Sequence, residues 1–233
     1  MSAATATLER DGFVILPSVF NADEVAAIAA ALEEAFARAE ASVLRTALAI
    51  YGARNVLQLW PQAAEVCRKP RLIEFVREVL GPEAGVVRVL YFDKPPEQSW
   101  TLPPHRDRTI AVREHRPSSR YLHPTTKAGV AHVEAPSDVL KRMMTLRLHL
   151  DPMTLDNGPL TLVPGSHLGD GTEVSQTPLG PAGDVLAMRP LVLHGSRHAA
   201  ERTSLRRRVL HLELAAMPDL DDGFAWQDFV GIQ

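Results

Sequence analysis

Met143-Met-Thr-Leu-Arg-Leu-His-Leu150 alternates through its second half, with Leu146, Leu148 and Leu150 on one side and Arg147 and His149 on the other. Successive side chains of an extended chain point to opposite faces, so this stretch reads as a strand with one face in a core and one polar face. Four further runs have strand character: Val86-Val-Arg-Val-Leu-Tyr-Phe92, Leu160-Thr-Leu-Val163, Gly183-Asp-Val-Leu-Ala-Met188 and Arg207-Arg-Val-Leu-His-Leu-Glu-Leu214. Pro, Gly and Asp punctuate them, and they are spaced too closely for intervening helices, which argues against a βαβ sheet.

Toward the N-terminus the pattern changes. Gly12-Phe-Val-Ile-Leu-Pro17 is a short apolar run closed by proline. Asn21 then caps a helix, with Glu24 completing a capping box and Phe20 set to staple onto Val25. Val25, Ile28, Ala29 and Leu32 recur at helical spacing between Ala22 and about Ala41. A second helix is expected from Pro70 to Gly81, with Leu72, Phe75, Val76 and Val79 inward. A helical third followed by strands predicts a mainly β chain with flanking helices: an antiparallel double-sheet barrel, or jelly-roll. With no repeat and no linker, residues 1–233 are expected to form a single domain, a helical part of about 1–85 on a barrel of about 86–215. The polar stretch Arg113 to Pro136, with three histidines and no periodicity, reads as a long loop, a lid or a substrate-facing excursion.

Composition narrows the function classes. Lys+Arg 25 against Asp+Glu 28 gives a net charge of −3, which supplies no bulk basic face for nucleic acid. The single cysteine, Cys67, cannot form an internal disulfide and suits a reducing compartment. Met1-Ser-Ala-Ala-Thr-Ala-Thr lacks a basic region followed by an apolar run, and no stretch is long and apolar enough for a membrane span. A cytoplasmic protein without membrane or nucleic-acid partners is expected.

The chemistry centres on Pro104-His105-Arg-Asp107. In extended chain, residues two apart share a side, so His105 and Asp107 offer a nitrogen and an oxygen together. A second nitrogen would complete the two-histidine, one-carboxylate face used by non-haem Fe(II) oxygenases. His194, in Pro190-Leu-Val-Leu-His-Gly-Ser196, ends an apolar strand at a glycine and is the best third ligand; His198 and His211 are its competitors. Arg206-Arg-Arg208 leads into the last strand, and one arginine held inside a barrel suits a bidentate carboxylate. Arg147 and His149 share a face that looks into the pocket if that face lines the barrel, and Arg88 and Leu90 share one in the same way.

The ordered set His105-x-Asp107, Asp156-Asn-Gly-Pro-Leu-Thr-Leu-Val-Pro-Gly-Ser-His167, His194-Gly-Ser196 and Arg207-Arg-Val-Leu resembles the phytanoyl-CoA dioxygenase family of Fe(II)/2-oxoglutarate oxygenases. Arg10-Asp-Gly-Phe-Val-Ile-Leu-Pro17 and the capped helix resemble the way its members begin. The resemblance implies that His105, Asp107 and His194 hold iron and that Arg207 binds the distal carboxylate of 2-oxoglutarate, with Arg208 or Arg206 as alternatives. It also implies that Ser196 and Leu90 lie beside that cosubstrate and that His167 belongs to a structural turn. Relatives that halogenate carbon lack the carboxylate, so Asp107 points to oxygen-derived chemistry, hydroxylation first. Molecular oxygen and a small-molecule substrate are the expected partners, with Arg147, Arg88, His149 and Arg113 as substrate contacts. Two rivals remain: a jelly-roll binding module without turnover, and a zinc hydrolase for which a carboxylate-anchoring arginine would be unnecessary.

Overall fold

The polar inner face and apolar outer face of one twisted sheet organise the molecule, seen here in a computed structural model that describes residues 1–39, 42–46, 50–96, 99–169 and 174–232. Before the barrel come α1 (Ala3–Asp11), β1 (Phe13–Leu16), α2 (Ala22–Ala37), β2 (Val43–Arg45), β3 (Ile50–Ala53), α3 (Val56–Leu59) and α4 (Pro70–Leu80). Then follow β4 (Gly85–Lys94), β5 (Leu102–His105), β6 (Thr109–Val112), β7 (Leu122–Lys127), β8 (Val130–Glu134), α5 (Ser137–Leu140) and β9 (Met143–His149). The chain closes with β10 (Leu160–Leu162), β11 (Val185–Met188), β12 (His194–Ser196), β13 (Arg207–Ala215) and β14 (Val230–Gly231).

The major sheet runs β1-β11-β9-β13-β4-β3-β2, with β14 also on β4; the minor sheet runs β10-β12-β5. Every pairing is antiparallel, and the two sheets form a jelly-roll core flanked by helices. The alternation seen in the sequence sets the two faces. Val89 and Tyr91 of β4, Leu146 and Leu148 of β9, and Leu210 and Leu212 of β13 pack outward into one cluster with Leu8, Val25, Leu32, Phe36, Leu72, Phe75 and Val76 of the helices. Each such side chain fully removed from water contributes about 1.5–3 kcal/mol. Arg88, Leu90, Phe92, Arg147, Arg207, His211 and Glu213 take the opposite face and line a cavity.

The start of α2 is built as the sequence predicts. Asn21 accepts from the Glu24 amide at 2.9 Å and Glu24 accepts from the Asn21 amide at 3.0 Å. Its end differs. The helix stops at Ala37, where Arg45 donates to the Phe36 and Ala39 carbonyls and satisfies the orphaned acceptors of the last turn; Ala41 lies outside the described residues.

The stretch Arg113 to Pro136 is not a long loop. It contains β7 and β8, which with β6 form a three-stranded sheet in the order β6-β8-β7. Ala128 and Gly129 turn the hairpin with φ of 49° and 79°, the left-handed pair of a two-residue hairpin loop. The outer strand β7 is exposed over most of its length and carries Pro124, so it has no buried face to impose alternation on its sequence.

Candidate metal centre and its cavity

The minor sheet brings distant residues together. His194 of β12 and His105 of β5 are register partners, their ring centroids 4.4 Å apart. Gly195 makes this pairing possible. A Cβ there would stand 2.7 Å from the Leu102 carbonyl oxygen and 3.2 Å from the Pro104 nitrogen. Just past β5, Asp107 is held by its amide, which donates to the Pro190 carbonyl at 2.9 Å. Arg106 fastens the same segment, donating to the Leu191 carbonyl at 2.9 Å and the Ser166 carbonyl at 3.0 Å.

Asp107 Oδ1 is 3.6 Å from His105 Nε2 and Oδ2 is 3.6 Å from His194 Nε2. One donor atom from each of the three residues falls within a 4.8 Å span. Both imidazoles are oriented from behind: His105 Nδ1 bonds the Pro103 carbonyl at 2.9 Å and His194 Nδ1 the Val192 carbonyl at 3.0 Å. A ring nitrogen facing a carbonyl carries the proton, so each Nε2 lone pair points toward Asp107. Burial pushes His194 down to about 4, which keeps it a neutral donor at ordinary pH. Burial opposes the charge on Asp107, but in the metal-free protein a proton taken up at His105 Nε2 is shared with it, which raises that imidazole and holds the carboxyl below its usual range; a bound metal would take that proton's place. Two neutral nitrogens and one carboxylate oxygen are the donor set of a non-haem Fe(II) site.

The motifs between the ligands brace this arrangement. Ser166 Oγ accepts from the Leu193 amide at 2.8 Å and donates to the Val163 carbonyl at 2.6 Å, so Val163-Pro-Gly-Ser166 supports the strand entering His194. His167 turns away from the centre, its Nε2 donating to the Glu9 carbonyl at 3.1 Å. Gly158 adopts φ +65°, and a Cβ there would strike the Arg197 carbonyl at 2.6 Å, which explains the Asn-Gly-Pro turn against the exit of β12.

A cavity of about 580 Å³ lies between the two sheets, bounded by His105, Asp107 and His194 on one side and by Leu90, Arg147, Arg207 and His211 on the other. That size is in the range of small-molecule sites. The three consecutive arginines separate cleanly. Arg206 pairs with Asp93, and Arg208 makes a two-point contact with Asp151 at 2.8 and 3.0 Å. Arg207 points into the cavity, 4% exposed, with its Nε lacking a partner among the described residues. Burial, then the charge of Arg147, lowers it to about 9, still cationic at neutral pH.

Of the other residues singled out in the sequence, Ser196, Leu90, Arg147 and Arg88 line the cavity. Arg147 donates to His211 Nδ1 at 2.8 Å and lies 5.7 Å from the Phe92 ring centroid, so His211 is occupied away from the triad. Two expected contacts are elsewhere. His149 is buried but does not border the cavity, and Arg113 is exposed beyond the end of β6. His198 is exposed on the loop after β12.

Lys94, Arg54, Glu213 and Trp100 were not anticipated. Lys94 is 1% exposed; its Nζ donates to Ser196 Oγ at 2.9 Å, the Arg197 carbonyl at 2.8 Å and the Gly158 carbonyl at 3.3 Å, and lies 5.2 Å from the Trp100 ring centroid. Burial, then Arg207 and Arg147, lowers it to about 7. It shares a face with Arg88, Leu90 and Phe92, so strand alternation carried two residues further would have found it.

A jelly-roll whose inner wall presents two histidines and a carboxylate able to hold one metal ion, beside a buried guanidinium, defines the class of barrel. Within that class the chain belongs to the phytanoyl-CoA dioxygenase (PhyH) family, matching it over residues 8–209. It is 28% identical over 176 residues to a protein named ectoine dioxygenase from Bordetella bronchiseptica, covering 73% of this chain and 50% of that one. The Bordetella parapertussis protein of the same name matches to the same extent. The chain thus spans about half the length of the curated relatives it matches. Among solved structures, the apo form of EctD from S. alaskensis superposes with a TM-score of 0.71 at 20% identity, covering 100% of this chain and 87% of that one. EctD with 2-oxoglutarate and 5-hydroxyectoine gives 0.68 at 22% identity, covering 92% and 76%. SnoN, a non-heme alpha ketoglutarate dependent epimerase from nogalamycin biosynthesis, gives 0.65 at 17% identity, covering 91% and 81%. At these identities the likeness is one of fold.

Proposed function

We propose that the chain is an Fe(II)/2-oxoglutarate-dependent dioxygenase that hydroxylates a C–H bond of a small molecule. The observation that carries this reading is the pairing of the His105, Asp107 and His194 donor set with the unpartnered, buried Arg207 on the wall of one cavity. The donor set fits ferrous iron, and a planar guanidinium with an orphaned N–H fits a carboxylate.

In this reading His105, Asp107 and His194 hold the metal, and Arg207 receives the distal carboxylate of 2-oxoglutarate, with Ser196 and Leu90 beside it. Bound iron and 2-oxoglutarate supply the oxidation: one oxygen atom of O2 enters the substrate C–H bond and the other enters succinate, with release of CO2. The chain contributes position and dryness. The carbonyls of Pro103 and Val192 fix the imidazoles, Lys94 ties Ser196 to the turn at Gly158, and Arg147 keeps His211 from competing as a ligand. The shared core of the helices and the outer face of the major sheet supports action as a single domain.

The relatives' name makes ectoine the first substrate to try. Purified protein with Fe(II), ascorbate and 2-oxoglutarate should release succinate in air, slowly alone and faster with the right substrate. Absence of both succinate and metal-dependent 2-oxoglutarate binding would instead favour a binding module.

A further inference from the structure

The cavity continues past the metal ligands into a wall that the cosubstrate does not need. From Arg207 to Glu213 along β13 is roughly 20 Å at about 3.3 Å per residue. There Arg88 stands opposite Glu213 in the β4–β13 ladder, its side chain 10% exposed. Arg88 Nη2 lies 3.5 Å from Glu213 Oε1, while Nε and Nη1 are buried without a partner among the described residues. Glu213 is divided: His211 Nε2 is also 3.5 Å from Oε1.

Arg54, the residue after β3, lines the same wall and makes no ion pair among the described residues. Asn55 Nδ2 donates to the Ala128 carbonyl at 3.1 Å, which ties the β7–β8 hairpin tip down beside Arg54. Lys127, on that hairpin, donates to Thr109 Oγ1 at 3.5 Å. Its pKa is lowered by burial and then by Arg88 and Arg54; Arg54 is lowered by burial and then by Arg88. Arg88 and Arg54 thus line one wall with a single pairing, Arg88 to Glu213, between them among the described residues, an arrangement that a further negative charge would complete. Leu44, Tyr51, Trp100 and Leu102 form the apolar side of the cavity, with Tyr51 and Trp100 edge to face at 6.2 Å.

We propose that this end of the cavity is the subsite for an oxyanion, carboxylate or phosphate, carried by the substrate and held by Arg88 and Arg54. The substrate is then a small anion with an apolar body lying along Tyr51 and Trp100. The inference rests on the dioxygenase reading only in making the anion its substrate. The guanidinium forks suit either oxyanion.

The test uses four probes of similar body and different head group: phenylacetate, phenyl phosphate, phenethylamine and benzyl alcohol. Their binding is measured by calorimetry to the full chain loaded with Fe(II) and 2-oxoglutarate under nitrogen. At least one anion should bind about tenfold or more tighter than the amine and the alcohol, 1.4 kcal/mol per tenfold. The tighter anion identifies the head group. Arg88→Gln and Arg54→Gln should each remove that preference while the Kd for 2-oxoglutarate stays within about twofold of the parent. Arg54 is the less buried of the two, so its variant serves if Arg88→Gln unfolds. Equal binding of all four probes, binding of none, or an anion preference that survives both substitutions overturns the subsite. Failure of the parent protein to bind 2-oxoglutarate at all overturns the dioxygenase reading instead.

Discussion

Arg207 and Lys94 are register partners at one end of the cavity, two buried basic side chains side by side on β13 and β4. Among the described residues Lys94 has three protein acceptors, whereas Arg207 has a buried N–H with none. The partnered side chain braces the wall and the unpartnered one is free for a ligand.

Replacing Arg207 should therefore weaken 2-oxoglutarate binding with little change in metal affinity. A charge-assisted hydrogen bond of about 1.5–3 kcal/mol corresponds to about 10–150-fold in Kd for Arg207→Gln, measured by calorimetry on metal-loaded protein. Arg206→Ala should act on stability instead, because it strips the charged partner from Asp93, a carboxylate with 0% exposure that keeps only the Tyr91 hydroxyl among the described residues. A loss on the order of 3 kcal/mol is expected in denaturant unfolding. Reversed effects would mean the cosubstrate arginine is misassigned.

The histidines divide in the same testable way. His194→Ala and His105→Ala should each lower Fe(II) affinity by about 100-fold or more, beyond the 10–100-fold of an outer partner. His167→Ala should leave it nearly unchanged, since that ring reaches back to Glu9. Equal loss in all three variants would contradict the assignment.

The close approach of β12 and β5 depends on Gly195. Gly195→Ala must move the Leu102 or Pro104 backbone, and with it the strand that carries His105. Overpacking of this kind costs about 1–3 kcal/mol. Metal affinity should fall by about tenfold, the equivalent of 1.4 kcal/mol. Titration with Fe(II) under nitrogen reads the change, and affinity like that of the parent would show that the spacing is not what the centre needs.

Two histidines outside the centre set a pH dependence for the metal-free protein. Burial, then the charges of Arg147 and Arg207, lowers His149 to about 3. Burial, then Arg88 and Lys127 working against a bond to the Val130 carbonyl, lowers His132 to about 4. The unfolded imidazoles, near 6.5, take up protons that the folded ones refuse. Their contribution is complete above pH 6.5 and falls as the pH drops from there, toward about 4 for His132 and about 3 for His149. Tm should decline across that window, and His149→Phe should reduce the slope. A flat profile, or one unchanged in the variant, would contradict it.

Strands were legible where one face is apolar and the other meets the cavity. β4, β9 and β13 alternate because the helices cover one side and polar ligand-facing groups occupy the other. The clustering of His105, Asp107 and His194 was legible for a related reason: His-x-Asp near the end of one strand and His-Gly at the start of another are both visible in the chain itself. The β7–β8 hairpin was not, because an exposed edge strand containing proline is under no burial constraint. Lys94 was hidden because Asp93-Lys-Pro-Pro96 reads as a turn, whereas β4 runs on through Asp93 and Lys94 before the prolines end it. Arg54 follows β3, a four-residue strand too short to impose a pattern. Nor could sequence alone choose among Arg206, Arg207 and Arg208, because the choice depends on Asp93 and Asp151, carboxylates far away in the chain.

The most direct measurement is anomalous diffraction at the iron edge from crystals grown with Fe(II) and 2-oxoglutarate under nitrogen. The account predicts a single iron bound by His105, Asp107 and His194, with the far carboxylate of 2-oxoglutarate on the Arg207 guanidinium. Iron held by other residues, or 2-oxoglutarate lying away from Arg207, would contradict it.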